Sequence, residues 1–462
     1  MEPISYQISK LENFYLNYNK SGDLIVGATA FIESNQEIEL TQELVRRALV
    51  YLQQRHPFLR AFYEENTLES KIFLKIQQQG SYQDKIEFEW LELSDDQSTR
   101  NEVIRNIERY TSKLIDFEDN NTLLWRYQVV SHIEDSKKKF AASIVIPAVI
   151  TDGINIMAVL IESVNIINAL LTNSECKEMK EELDISLGLA DRVEKEQMVG
   201  DKQKETVKYW NEKPPSPFKL LLPEYFHTNE IGLNINLLRI NKDICEKLIE
   251  KSKVNGISFN SFFNTSLFYA LRQLYVENGL EFPKEAASNF AANLRFRYKE
   301  KLDFSKMGIH ICGISITTEQ KGFGEFKDIW EDSKYIDKLV KEKTSVETGS
   351  IFAFSHSEAV LNRTTIENDL THENVSTDLA LSNLGNYVND NVKVFDGPFE
   401  IKEVYFGDSI VSYPNVCCAC IFFLLSWRGE FMVRLSTNRR YMHAKYADRL
   451  MHIFEEIFHK SI

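Results

Sequence analysis

The residues that are best suited to take part in chemistry lie in the segment Pro147-Ala148-Val149-Ile150-Thr151-Asp152-Gly153. This segment contains a hydroxyl, a carboxylate and a glycine. It follows a short apolar run over residues 141–146 and precedes a helical pattern over residues 154–171. The order strand, loop, helix puts Asp152 at the carboxyl end of a buried strand, where α/β folds tend to bind ligands. The loop is therefore the first candidate for a functional site.

Three other short motifs accompany this loop in the chain. Arg55-His56-Pro57-Phe58-Leu59-Arg60-Ala61 follows an amphipathic helix in the first half. The second half contains Asn293-Leu294-Arg295-Phe296-Arg297, which follows a helix with Asn264, and then Leu381-Ser382-Asn383-Leu384-Gly385. Each motif alone is weak, because such short strings occur by chance in many chains.

Together, in this order, the four motifs resemble the condensation-domain superfamily over nearly the whole chain. This superfamily includes chloramphenicol acetyltransferase, peptide-synthetase condensation domains, plant alcohol acyltransferases and alcohol acetyltransferases. The chain is most similar to the free-standing alcohol acetyltransferase-like members, because no carrier or adenylation module is attached. The resemblance implies an α/β (α+β) fold with two chloramphenicol-acetyltransferase-like lobes that form a pseudo-dimer. It also implies a channel between the lobes, where the acyl thioester and the acceptor meet.

The resemblance further implies acyl transfer at the loop. Members of the superfamily carry His-His-x-x-x-Asp-Gly, and the second histidine takes the proton from the acceptor. An alcohol hydroxyl is a poor nucleophile, so a positioned imidazole with a pKa near neutrality suits this task. The tetrahedral oxyanion then needs nearby hydrogen-bond donors. Matching Asp152-Gly153 to the end of the motif puts Pro147 and Ala148 at the two histidine positions.

Ala148 cannot accept a proton, and loss of a general base typically lowers the rate by roughly 10²–10⁴-fold. Two explanations stay open. The natural residue is histidine and alanine was introduced to trap a substrate complex, or the natural protein lost the activity and kept the pocket. We expect none of His56, His310 and His356 to replace the base.

The resemblance assigns structural roles to several residues. It implies that Asp152 pairs with an arginine of the Asn-x-Arg-x-Arg motif, with Arg295 the first choice and Arg297 the second. Such a pair is required physically, because a buried carboxylate without a partner is costly. Gly153 is expected to permit the transition from loop to helix. The predicted substrate-binding residues are Ser382, Asn383, Asn264 and Thr151, although an ordinary turn also explains Ser382 and Asn383.

Composition limits the partners of the chain. The net charge of −14 argues against nucleic-acid binding, which needs a basic footprint. The co-substrate implied by the resemblance is acyl-CoA, specifically acetyl-CoA, and its phosphates need local cations. Arg439, Arg440 and Lys299 are the candidates, although a solvated charged surface is the stronger explanation at each position. We expect the six cysteines to be reduced core thiols, in neither a disulfide framework nor a metal site.

Periodicity indicates the elements that position these residues. The 462 residues predict two domains, with an N-terminal lobe over residues 1–185, a connection over 186–217 and a C-terminal lobe over 218–462. Further predictions follow from apolar spacing and turn residues. Strands are predicted over 23–32, 72–76, 125–132, 141–146, 234–240, 307–316, 392–395, 416–427 and 430–436, helices over 42–56, 154–171, 245–254, 259–275 and 441–458, and a loop over 406–408.

The chain carries no signal-peptide pattern and no apolar stretch of the roughly 20 residues that a membrane span needs. We therefore expect a cytoplasmic monomer without membrane or nucleic-acid partners. Three functions remain. The first is an acyl-CoA-dependent acyltransferase that acetylates a small apolar alcohol or an amine. The second is a non-catalytic small-molecule-binding relative. The third is a condensation enzyme that forms an amide or ester from a carrier-bound thioester.

Overall fold

The computed structural model describes most of the chain. Its described residues are 3–35, 38–66, 71–94, 99–117, 119, 122–134, 137–172, 181–186, 188–196, 198, 204–205, 208, 226–282, 286–318, 328–345, 375–387, 394, 396–411 and 416–462. Pro214–Pro217 of the predicted connection, His356, and residues 392, 393 and 395 of a predicted strand lie outside them.

The described chain alternates helices and strands throughout. The helices are α1 (Lys10–Lys20), α2 (Gln42–Arg55), α3 (Arg100–Ser112), α4 (Gly153–Thr172), α5 (Leu189–Lys195), α6 (Lys242–Val254), α7 (Phe259–Glu277), α8 (Ile329–Lys343) and α9 (Ala444–Lys460). The strands are β1 (Ile4–Gln7), β2 (Asp23–Ser34), β3 (Ala61–Asn66), β4 (Lys71–Ile76), β5 (Glu87–Glu92), β6 (Arg126–Glu134), β7 (Lys137–Pro147), β8 (Leu233–Ile240), β9 (Ala286–Asn293), β10 (Ile311–Thr318), β11 (Val375–Asn386), β12 (Phe399–Ile410), β13 (Val416–Trp427) and β14 (Glu430–Asn438).

Contacts divide the chain into two compact units, and neither is continuous in sequence. Unit 1 comprises Met1–Glu196, Arg295–His310 and Val388–Ser409. Unit 2 comprises Gln197–Leu294, Ile311–Tyr387 and Ile410–Ile462. The predicted division at residues 185 and 218 differs from this arrangement, because two segments of the second half pack into unit 1.

Unit 1 contains a five-stranded mixed sheet in the order β12-β2-β7-β6-β5 and a three-stranded sheet in the order β1-β4-β3. Strand β7 pairs antiparallel with both β2 and β6, whereas β5 and β6 are parallel. Residues 140–147 of β7 are all buried, as expected of a strand covered on both faces. This strand therefore forms the rigid support from which the candidate loop departs.

Helix α4 follows the loop and belongs to the core of unit 1. Its mean hydropathy over the most apolar 18-residue window is 1.8, and 83% of that window is buried within the protein. Its length and composition alone would allow it to cross a membrane, so the expectation that no apolar stretch reaches that length was wrong. The helix packs against α2, β2 and β7, and this packing explains its continuous apolar surface.

Unit 2 contains a six-stranded mixed sheet in the order β10-β9-β11-β13-β14-β8. Strand β11 runs parallel to β9 and β13, while β14 pairs antiparallel with β13 and β8. A cluster of aromatic rings joins α7 and α9 to one face of this sheet. Its members are Phe259, Phe262, Phe263, Phe422, Phe431, Phe454 and Phe458. In unit 2, part of the aromatic richness of the sequence is thus core packing.

Three predicted elements need correction. The strand predicted over 307–316 begins at Ile311, and Gly308 and His310 before it form the hydrogen bonds described below. The closing helix begins at Ala444 rather than residue 441, with His443 as its N-cap. Phe406-Gly407-Asp408, predicted as a loop, lies inside β12. There the pairing with β2 overrides the local turn preference of Gly and Asp.

Candidate functional site

The main chain around Ala148 is held by the side chain of Asn19 at the end of α1 and by the main chain of β2. The Ala148 amide donates to the carbonyl of Leu24 over 3.1 Å. The Val149 amide donates to Asn19 Oδ1 over 3.0 Å, and Asn19 Nδ2 donates to the carbonyls of Asp23 (3.0 Å) and Leu24 (2.8 Å). Leu24 has a φ of 53°, which is unusual for a residue other than glycine. Residue 148 thus lies in a turn whose main chain is fixed by hydrogen bonds.

Asp152 is the central acceptor of the loop, with both carboxylate oxygens engaged. Oδ1 accepts from the amides of Ile154 (3.0 Å) and Asn155 (3.1 Å), so Asp152 is the N-cap of α4. Oδ2 accepts from Arg295 Nη2 over 2.7 Å and from the His310 amide over 3.0 Å. The side chains of Asp152 and Arg295 are both 0% exposed. The Asp152 carboxylate therefore holds the loop together, and it is not accessible to a substrate.

The structure brings together Asp152 and Arg295, the first choice of partner, whereas Arg297 is exposed. Arg295 also donates to the carbonyls of Lys306 (3.1 Å) and Gly308 (3.3 Å). A planar guanidinium with several fixed donors suits such a junction better than an ammonium would. The ion pair thus fastens the segment before β10 to the start of α4.

Asn155 completes this junction. Its Nδ2 donates to Asp152 Oδ1 over 3.2 Å and to the Gly308 carbonyl over 2.9 Å, and its Oδ1 accepts from the Thr151 hydroxyl. Thr151 is buried, so its hydroxyl belongs to the internal framework of the loop. Gly153, predicted to ease the transition from loop to helix, is the first residue of α4.

His310 lies beside this junction in the interior of unit 1. Its Nδ1 is 3.0 Å from the Tyr298 hydroxyl and its Nε2 is 3.5 Å from the Ser186 hydroxyl. Burial, followed by the cations of Arg295 and Arg192, lowers the pKa of His310 well below its usual value. The imidazole is therefore neutral at physiological pH. Because it is completely buried and bonded at both nitrogens, it cannot replace a base at position 148.

The substrate-binding candidates of the second half belong to unit 2. Ser382 and Asn383 lie in strand β11, not in an ordinary turn, and the register shifts between Asn383 and Asn386. Asn383 Nδ2 is 3.3 Å from Asn260 Oδ1, and Asn383 Oδ1 accepts from the Gly385 amide. Asn264 is fully buried in α7 and accepts from the Ser288 hydroxyl over 3.0 Å.

The three residues predicted to bind the phosphates of CoA differ in exposure and in the unit to which they belong. Lys299 is exposed in unit 1, and its main-chain amide donates to Glu196. Arg439 and Arg440 are half-buried after β14 in unit 2. Arg440 donates to the Thr228 carbonyl over 2.8 Å and to Asn229 Oδ1 over 2.6 Å. Part of its donor capacity is thus committed to the fold.

Sequence reasoning missed Asn19, Asn155 and Tyr298. Each acts through a bond to a group that is distant in sequence or on the main chain, and such bonds leave no periodic signal. Within the described residues, no group of three or more His, Cys, Asp or Glu side chains forms a metal site. The arrangement can thus hold a side chain at position 148 precisely, but alanine offers no proton acceptor there.

The sequence matches no protein-family model, and no curated protein matches it either. Solved structures are similar over the whole chain. The trichothecene 15-O-acetyltransferase of Fusarium sporotrichioides is 11% identical with a TM-score of 0.69, covering 98% of this chain and 95% of its own. The first condensation domain of the calcium-dependent antibiotic synthetase is 10% identical with a TM-score of 0.68, covering 100% and 97%. The epimerization domain of the third module of tyrocidine synthetase B is 12% identical with a TM-score of 0.63, covering 100% and 98%.

These similarities show the fold. The chain adopts the mixed α/β fold of condensation domains and of the chloramphenicol-acetyltransferase-like acetyltransferase, as the four sequence motifs predicted.

Proposed function

We propose that this chain is an acyltransferase of the condensation-domain fold whose catalytic base position is occupied by Ala148. Its co-substrate is acyl-CoA, specifically acetyl-CoA, and its acceptor is a small apolar alcohol. The observation that carries the proposal is the intact loop framework, in which Asp152 caps α4 and pairs with the buried Arg295. The similarity to an O-acetyltransferase along 98% of the chain supports the same class of reaction.

Most of the candidate residues have a role in this proposal. Asp152 and Arg295 hold the loop, and position 148 is where a base would take the acceptor proton. Ser382 and Asn383 contact substrate, and Asn264 in α7 belongs to the same substrate site. The exposed Lys299 and the half-buried Arg439 and Arg440 bind the phosphates of CoA.

The expected consequence of Ala148 is slow transfer. Its side chain is a methyl group, and His310 is buried and bonded at both ring nitrogens. Without a general base, the rate falls by roughly 10²–10⁴-fold relative to a loop that carries histidine. Binding of thioester and acceptor does not depend on that base, so we expect binding to persist.

A second function is favoured by the same residue. A loop that keeps its framework and lacks a titratable side chain at position 148 also suits a protein that binds a small molecule without transforming it. The similarity to condensation domains leaves a carrier-bound thioester as the alternative donor.

The test compares this chain with its Ala148→His and Ala148→Gln variants. Release of the CoA thiol from acetyl-CoA is measured with a panel of small alcohols and amines. We expect Ala148→His to raise acceptor-dependent release by about 10²–10⁴-fold. Ala148→Gln serves as the matched control, since it adds similar volume but no base at neutral pH. The most effective compound names the acceptor class.

Three other outcomes would decide against the proposal. If no variant releases CoA although calorimetry detects bound acceptors, the chain is a binding protein. If acyl transfer occurs only from a carrier-protein thioester, with release of the carrier's thiol, the chain is a condensation enzyme. Equal activity of the Gln and His variants would show that position 148 does not hold the base.

A further inference from the structure

A single buried side chain, Asn19 at the end of α1, connects the start of β2 to the loop that follows β7 and contains position 148. Its amide nitrogen donates to the carbonyls of Asp23 and Leu24 at the start of β2. Its amide oxygen accepts from the Val149 amide, directly after position 148. Asn19 is completely buried. A buried side-chain amide satisfied by three main-chain groups holds those groups in one arrangement.

The backbone conformation of Leu24 depends on these hydrogen bonds. Its left-handed conformation is disfavoured for a residue with a Cβ atom and persists only where surrounding bonds impose it. The Leu24 carbonyl accepts from both Asn19 Nδ2 and the Ala148 amide. Asn19 therefore holds in place the same carbonyl that positions the main chain of residue 148.

We propose that Asn19 is a positioning residue for the side chain at position 148. It acts through Leu24 and Val149 and fixes the direction in which a side chain at 148 leaves the main chain. The inference rests on the proposed function in one respect, namely that position 148 is where the reaction takes place. Removing the Asn19 amide leaves the amide of the buried Val149 without its acceptor, so the turn must relax.

The test uses the Ala148→His protein, with Asn19→Ala added. Misplacement of a reacting group by about 1 Å can lower a rate by roughly 10²-fold. We therefore expect kcat to fall by about 10–100-fold while KM changes by less than about threefold. A loss of stability alone would not produce this separation of kcat from KM.

Two further readouts do not require activity. Hydrogen exchange of the Val149 amide is expected to accelerate at least about tenfold in Asn19→Ala, because its acceptor is gone. In ¹⁵N NMR spectra of the Ala148→His protein, the introduced imidazole is expected to show one set of resonances when Asn19 is present. When Asn19→Ala is added, we expect several sets or broadened resonances. If Asn19→Ala does not fold, Asn19→Asp replaces it, because it keeps the acceptor for Val149 but loses both donors.

Asn168→Ala is the matched control. Asn168 is also buried in unit 1 and also bonds main-chain groups, accepting from the Phe399 amide and donating to the Phe399 carbonyl, each over 2.9 Å. We expect it to destabilise the protein while leaving Val149 exchange and the imidazole resonances unchanged.

The outcomes separate the two proposals. If Ala148→His is inactive, the proposed function fails, and exchange and NMR still decide the role of Asn19. If Asn19→Ala and Asn168→Ala have the same effects in all three readouts, Asn19 is merely structural and the inference is overturned.

Discussion

The buried pair of Asp152 and Arg295 allows a quantitative test of how the loop is held. Both side chains are 0% exposed, and their closest atoms are 2.7 Å apart. Removing one partner of such a pair leaves an uncompensated buried charge, which typically costs about 3–5 kcal/mol. We therefore expect Arg295→Met to lower the free energy of unfolding of unit 1 by about that amount.

Asp152→Ala should be more damaging. It removes the same ion pair and also the N-cap of α4, which contributes about 0.5–2 kcal/mol. We expect a loss of at least about 4 kcal/mol, a large fraction of the 5–15 kcal/mol that typically stabilises a domain. The double variant should lose less stability than the sum of the two single losses, with a coupling energy of about 0.5–3 kcal/mol.

The assay must report on unit 1 alone, because a chain of two units need not unfold in one step. Native-state hydrogen exchange of amides in β7 gives the free energy of opening for that part of the fold. Arg109→Met is the matched control, since its ion pair with Glu89 is exposed and such pairs contribute about 0–1 kcal/mol. Equal losses in Arg295→Met and Arg109→Met would refute the reasoning.

Three other perturbations follow from unit 1. Because the pKa of His310 is lowered in the folded protein, only the unfolded chain takes up this proton as the pH falls below about 6.5. Stability should then decrease by up to about 1.4 kcal/mol per pH unit for this one proton, and His310→Gln should reduce that dependence in urea titrations at pH 7 and 5. Gly308→Ala should destabilise by about 1–3 kcal/mol, since φ is +133° and the added Cβ lies 3.1 Å from two side-chain atoms; a thermal midpoint within 1 °C of the unmodified chain would contradict this. Trp125→Phe leaves the buried Leu59 carbonyl without its 2.8 Å donor and should cost about 1–3 kcal/mol in urea unfolding. Trp90→Phe, which loses an exposed bond to a glutamate, should cost less.

The sequence predicted those parts of the site that depend on local pattern. An apolar run followed by 3.6-residue spacing indicated β7, the loop and α4, and the structure has all three. The fold followed from the order of four motifs. The pairing of Asp152 with Arg295 was expected only from the resemblance.

Long-range bonds were not accessible in the same way. Asn19 binds Val149 across 130 positions, and Asn155 binds Gly308 across 153. A single asparagine in a polar helix end looks the same whether it faces solvent or the interior. Residues 307–310 were predicted as the start of a strand, whereas the Gly308 carbonyl accepts from Arg295 and the His310 amide donates to Asp152.

The position of β12 has a consequence for the synthesis of this protein. This strand forms one edge of the five-stranded sheet and lies next to β2, although β2 ends at residue 34 and β12 begins at residue 399. After β7 has left the ribosome, roughly 250 more residues must be made, which takes on the order of 12–50 s at 5–20 residues per second. During that interval, β2 has an unpaired edge of a kind that promotes association with other chains. A growing chain therefore exposes this edge for longer than its size suggests, and a fragment that stops at residue 185 should be insoluble when expressed alone.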